Sequence, residues 1–115
     1  MAQNQTKTID DEAAVLEKVA ALPGEYRVMG EKLHELITKE IGLKPRLWYG
    51  MPGYAKSKSG PVLCFFRKDK YMTFGLNEQA EFDFSGGIAP SGWFFIDLTK
   101  EVEDKIRDIL KKSIK

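Results

Sequence analysis

Nucleophilic catalysis asks for a Ser, Cys or Thr within reach of a His that a third group orients, and this chain offers one His34 and one Cys64. His34 falls on a predicted helix beside its apolar stripe, where it serves either as a structural or surface residue or as a ligand. A zinc site of four N and S ligands cannot be assembled from one His and one Cys. Carboxylates remain available to hard cations. They form two sets, Asp10, Asp11, Glu12 and Glu17 near the first helix and Glu101, Glu103, Asp104 and Asp108 in the last. Lysines interleave with these acids, or helix-end electrostatics accounts for them, so both sets read as solvated faces. Ser85-Gly86-Gly87 lacks the Lys-Ser/Thr that completes a phosphate loop and reads as a turn. Lys56 and Lys58 suit an anion or simply an exposed loop. No catalytic residue, metal ligand or cofactor is assigned.

The most distinctive stretch is Trp48-Tyr49-Gly50-Met51-Pro52-Gly53-Tyr54, where large side chains flank a turn rich in Gly and Pro. Aromatic rings with polar tips give contact area at low entropic cost, which suits recognition, and they also build cores. Trp48, Tyr49, Met51 and Tyr54 are therefore candidate ligand-binding residues, with Phe66, Tyr71, Trp93 and the neighbouring Phe74 completing a pocket. Core and turn architecture is the competing reading of the same residues.

The elements that would position them follow from periodicity. A first helix is expected over 10–22, capped through Thr8 and Asp11, with Ala13, Leu16, Val19 and Ala20 as its apolar face. Pro23 and Gly24 break the chain. A second helix carries Tyr26, Met29, Leu33, Leu36, Ile37 and Ile41 on one stripe and ends at Gly42, with Pro45 beyond. From Arg46 the bulky Leu47, Trp48 and Tyr49 predict a short strand, and Gly50 to Gly53 a rigid turn. Val62 to Arg67 and Tyr71 to Leu76 predict a hairpin around Asp69-Lys70, with Met72, Phe74 and Leu76 on one face. Residues 77–92 read as loop. Trp93 to Leu98 is a last strand, and Thr99 caps a helix carrying Val102, Ile106, Ile109 and Leu110. Helices at the two ends and strands between them predict an α+β fold: a mostly antiparallel sheet of four to five strands with two N-terminal helices and one C-terminal helix packed on it.

A length of 115 residues suits a single domain, with 1–8 outside the packed part. The apolar share of 43% and charged share of 30% are those of a globular chain. The longest apolar runs fall far short of the roughly 20 residues a membrane span needs, and no secretory signal opens the chain. A cytoplasmic location is the resulting expectation. Cys64 among Leu63, Phe65 and Phe66 reads as a small buried apolar side chain. The net charge of +1 disfavours nucleic acid as a partner.

Tyr49, Gly50, Met51, Pro52 and Tyr54 form a Tyr-Gly-Met-Pro-x-aromatic motif after two helices, and in this the sequence resembles the YdhG-like bacterial family of unknown function. The similarity covers nearly the whole chain, because the strand pair Val62 to Leu76 and the Gly92 to Leu98 lead into the final helix stand where the family has them. It implies an α+β fold similar in outline to frataxin, and iron-chaperone activity has been proposed for some members. Frataxin-like iron binding uses a dense acidic ridge, whereas the first helix here holds a modest cluster and the adjoining strand shows Lys44 and Arg46. Two readings emerge: a non-enzymatic module binding a small molecule or protein partner near Tyr49 to Tyr54, or an iron-binding protein acting through Asp10, Asp11 and Glu12. Acid–base chemistry run by a single buried carboxylate or tyrosine is a third.

Overall fold

The computed structural model describes residues 11–114. The first helix, α1, spans Asp11–Ala20 with Asp11 and Glu12 in its first turn, where the free N–H groups favour negative charge. Its buried residues are Val15 and Val19, one turn apart. This corrects the predicted face: Ala13 and Ala20 are exposed and Leu16 is 40% exposed, because the i, i+4 valine pair is the one turned inward. Thr8 and Asp10, assigned to the helix entry, lie outside the described residues. The second helix, α2, spans Glu25–Glu35 and widens into a π-helical segment, Leu36–Ile41. Met29, Leu33, Leu36 and Ile37 are buried along it, as the stripe predicts. Gly42 closes it at φ 88°, a left-handed conformation that only glycine adopts freely, with its N–H on the Ile37 carbonyl five residues back.

Five strands follow: β1 (Lys44–Trp48), β2 (Met51–Ala55), β3 (Val62–Lys68), β4 (Met72–Leu76) and β5 (Gly92–Phe95). They pair antiparallel in sequence order, a plain meander. The expected rigid turn at Gly50 to Gly53 is instead a two-residue turn, Tyr49-Gly50, with both φ values positive at 51° and 78°. That geometry matches strand twist and brings Met51–Ala55 back along β1 as a full strand. Pro52 is tolerated inside it because the β2–β3 pairing begins one residue later, at Gly53 opposite Phe65. The final helix, α3, spans Lys100–Ser113, and the Thr99 hydroxyl accepts from the Val102 N–H at 3.2 Å, the predicted cap.

All three helices contribute to one contiguous core against the inner face of the sheet. From the sheet come Tyr54, Cys64, Phe66, Met72, Phe74 and Phe95; from the helices come Val15, Leu33, Ile37, Ile106 and Leu110 among others. Each large side chain so buried contributes about 1.5–3 kcal/mol. Two ties close the ends. Arg107 of α3 donates to both oxygens of Glu40 at 2.8 and 3.1 Å, and this fork holds the Glu40 carboxyl below its ordinary range. The loop over 77–91 is fastened by Asn77 N–H to the Leu63 carbonyl (2.9 Å) and Glu81 N–H to the Ser113 carbonyl (2.8 Å).

On the other sheet face Val62, beside Gly53, is buried, and Trp48 and Phe65 are half-buried. Register places Arg46, Gly53, Phe65, Gly75 and Gly92 across it in one row, and Arg67, Thr73 and Phe94 in the next. The glycines shape that surface. A Cβ at Gly75 would stand 2.4 Å from Phe65 Cζ, and one at Gly53 would stand 2.8 Å from Trp48 Cβ. The Phe65 ring therefore lies flat on Gly75. Gly75→Ala is expected to cost about 1–3 kcal/mol by overpacking, although alanine suits a strand better than glycine. In a Phe65→Ala background the same change is expected to be neutral or stabilising. Urea titrations of the four variants measure this coupling; equal costs in both backgrounds would show that the ring is not what the glycine accommodates.

Candidate functional site

Two polar or aromatic constellations stand out, one inside the fold and one on the open sheet face. The internal one is a chain of hydrogen bonds. His34 Nδ1 lies 2.8 Å from the Tyr54 hydroxyl, and His34 Nε2 lies 2.8 Å from Glu12 Oε2. A carboxylate only accepts, so Nε2–H donates to Glu12, and in the neutral imidazole Nδ1 then accepts from Tyr54 O–H. Tyr54 is fully buried, and burial pushes its phenol well above the ordinary range, with Cys64 and Glu12 adding to the rise. Both imidazole nitrogens are occupied and the phenol stays protonated at neutral pH. The arrangement clamps α1, α2 and β2 together, which makes His34 structural. Thr38 adds to the joint by donating its hydroxyl to the His34 carbonyl at 2.8 Å. Burial also raises the Cys64 thiol far above its usual range, so it holds no reactive thiolate at neutral pH.

The seven residues predicted to line one pocket divide among four places. Tyr54 and Phe66 are fully buried and stack at 5.9 Å between ring centroids, as core. Trp93 stacks on Phe74 at 5.9 Å and borders two clefts beside α3, of about 370 and 470 Å³. Trp48, Tyr49 and Met51 share the β1–β2 turn end, and Tyr71 meets Phe94 at 5.5 Å near the opposite edge. The structure thus keeps Trp48, Tyr49 and Met51 together and separates Tyr54, Phe66 and Trp93 from them.

What joins Trp48 and Tyr49 is Phe65, which the sequence reading passed over in favour of Phe66. Trp48 and Phe65 lie 5.0 Å apart at 32°, and Tyr49 meets Trp48 edge-on at 4.7 Å. The Arg67 guanidinium sits over the Phe65 ring, 5.9 Å from its centroid. Arg46, on the same face, donates to the Lys58 carbonyl at 2.9 Å and so orders the β2–β3 connection. Phe94 on β5 is 72% exposed. The signal for Phe65 was its place opposite Gly75, readable only once the register is known. A shallow cleft of about 480 Å³ runs from Arg46 and Trp48 past Pro61 and Val62 to Asn77 and Glu78.

A fourth cleft, of about 430 Å³, gathers Asp11, Glu12, Lys44, Lys56 and Lys58. Its Glu12 is already engaged by His34. Among the described residues no group of three or more His, Cys, Asp or Glu side chains could hold a metal ion, and Asp10 lies outside them. No helix among the described residues is long and apolar enough to cross a membrane. Fold and site together define a small α+β protein with a five-stranded antiparallel meander, helices on one face and aromatic rings on the other. No known protein family, curated protein or solved structure matches the chain.

Proposed function

We propose that this chain is a non-enzymatic binding module whose recognition surface is the open sheet face around Trp48, Tyr49 and Phe65. One observation carries the reading. Tyr49 is 84% exposed and is held at φ 51°, where a bulky L residue costs about 1–2 kcal/mol and Asn or Gly fits far better. Apart from its edge-on contact with Trp48 this solvent-facing ring adds little to the fold, and strain of this kind collects at functional sites. Beside it Trp48 and Phe65 supply flat apolar area fixed by the glycines beneath them. The ligand is a small molecule or partner that offers a planar or apolar surface to those rings.

The test compares Tyr49→Asn and Trp48→Ala with the parent in thermal unfolding, alone and with ferrous iron, other divalent ions and common metabolites under anaerobic conditions. Tyr49→Asn is expected to raise stability by about 1 kcal/mol while weakening binding at least tenfold, the trade-off of a site kept for function. A ligand present at 100 times its Kd adds about 2.7 kcal/mol to the parent. Unchanged affinity in both variants would remove this proposal, and a shift selective for ferrous iron would favour an iron-handling role.

A further inference from the structure

We infer that the open sheet face is a stacking platform for single-stranded nucleic acid, an inference that rests on the binding face proposed above and names its occupant. The first observation is how charge is distributed. Residues 44–76 carry seven basic side chains and a single acidic one, Asp69, although the whole chain has a net charge of only +1. None of the five strands contains Asp or Glu. The compensating acids lie outside this segment, eight of the sixteen at positions 10–41, while α3 carries five basic and four acidic side chains. Of the seven basic residues Arg46 and Arg67 are the arginines on the open face, and the Lys68 ammonium lies instead over the Tyr26 ring of α2. Asp69 accepts from Arg67 Nε at 2.7 Å, which leaves that one carboxylate already committed to the basic surface.

The second observation is what lies between the charges. Arg46 and Trp48 stand on β1, Phe65 and Arg67 on β3, and Phe94 on β5, all on the face away from the helices. Trp48 and Phe65 are half-buried and pack on one another, tilted by 32° at 5.0 Å, and Phe94 is 72% exposed two strands from Phe65. At about 4.8 Å per strand these platforms are spread over some 20 Å, enough for several unstacked bases. Any base can stack on such rings, and guanidinium groups between them meet the phosphates. Glu78 lines the cleft at the Arg46–Trp48 rim and marks one boundary of the basic area.

Thr73, 8% exposed, stands in register between Arg67 and Phe94 on this same face, and its Oγ1 is closed off from solvent. An acidic peptide would satisfy the arginines but leave the flat rings unmatched. A duplex would hide its bases from them.

The experiment is fluorescence anisotropy with fluorescein-labelled 15-mers, oligo-dT, oligo-U and a 15-base-pair duplex, on the full chain at 50 to 200 mM salt. Single strands are expected to bind more tightly than duplex and to quench Trp48 emission. Phe94→Ala, at an exposed position, and Trp48→Ala are expected to weaken single-strand binding about 10- to 100-fold. Arg46→Gln with Arg67→Gln is expected to flatten the salt slope by about 1.4, at 0.7 per phosphate contact. Lys111→Gln with Lys112→Gln, on α3, removes the same charge elsewhere and is expected to change nothing; circular dichroism checks the fold of each variant. Absence of single-strand binding at 50 mM salt overturns the inference. So does equal affinity for duplex, or binding that survives Phe94→Ala and Trp48→Ala undiminished. Should oligonucleotides fail while another ligand is lost in Trp48→Ala, the binding-face proposal stands and its occupant is different.

Discussion

Tyr54→Ala is expected to remove about 3–5 kcal/mol of folding stability, a large part of what a domain of this size possesses. Tyr54 has no exposed surface, stacks on Phe66 at 5.9 Å, and supplies the hydroxyl that meets His34 Nδ1 at 2.8 Å. The alanine variant loses the ring's buried area, leaves a cavity and orphans a buried nitrogen. Tyr54→Phe isolates the last of these and is expected to cost about 1–3 kcal/mol, the desolvation of an unpaired polar group. Glu12→Gln is expected to cost less than either, because the Glu12 side chain is 57% exposed and its amide oxygen still accepts from His34. Urea titrations at constant m-value measure all three. A Tyr54→Phe cost of only a few tenths would show that the clamp joining α1, α2 and β2 is not held by this hydroxyl. Because Tyr54 is core, its replacement cannot report on ligand binding, although its place in the aromatic motif invites that use.

A steep loss of stability is expected in alkali. Burial raises both the Cys64 thiol and the Tyr54 phenol above their ordinary values. In the unfolded chain they release protons near pH 8.5 and 10, respectively. Above those values the native state binds more protons than the unfolded state, so unfolding becomes more favourable as pH rises; below them the contribution is fully present. Each group costs about 1.4 kcal/mol per pH unit, and between pH 8 and 11 the pair removes roughly 4–5 kcal/mol. Cys64→Ala should delay the onset by more than a pH unit and leave the shallower loss due to Tyr54. The comparison is of slopes, since the substitution itself changes stability. Identical pH profiles for parent and variant would assign the loss to other groups.

These two results would separate the supporting half of the molecule from the recognising half. The buried relay and the core sit between helices and inner sheet face, whereas Trp48, Tyr49, Phe65 and Phe94 face outward. Substitutions outside the core should therefore change binding with little cost to folding, and Tyr49→Asn should change the two in opposite directions.

Local chemistry was legible in the sequence. The stripe Met29, Leu33, Leu36 and Ile37, the left-handed Gly42, the Thr99 cap and the α3 pair Ile106 and Leu110 all depend on residues within a few positions of one another. Helix period and capping act over that range, so the three helices and the antiparallel sheet followed. The widening of α2 into a π-helix past His34 carried no such local sign. Facing in the sheet was different. The positive-φ Tyr49 made a tight hairpin where a longer turn was expected, and an irregularity between Tyr54 and Ala55 shifts the register against β3. In a two-residue period register decides which ring is core and which faces outward, and the pairing of Gly53 with Phe65 and of Phe66 with Phe74 turns Phe66 inward and leaves Phe65 half-buried on the open face. Glu12, His34 and Tyr54 are separated by 22 and 20 residues, and nothing short of the packed fold brings them into one chain of hydrogen bonds. Charge shows the same division: the whole chain is nearly neutral, the sequence gathers seven basic side chains into residues 44–76, and only the register sets Arg46 and Arg67 on one face.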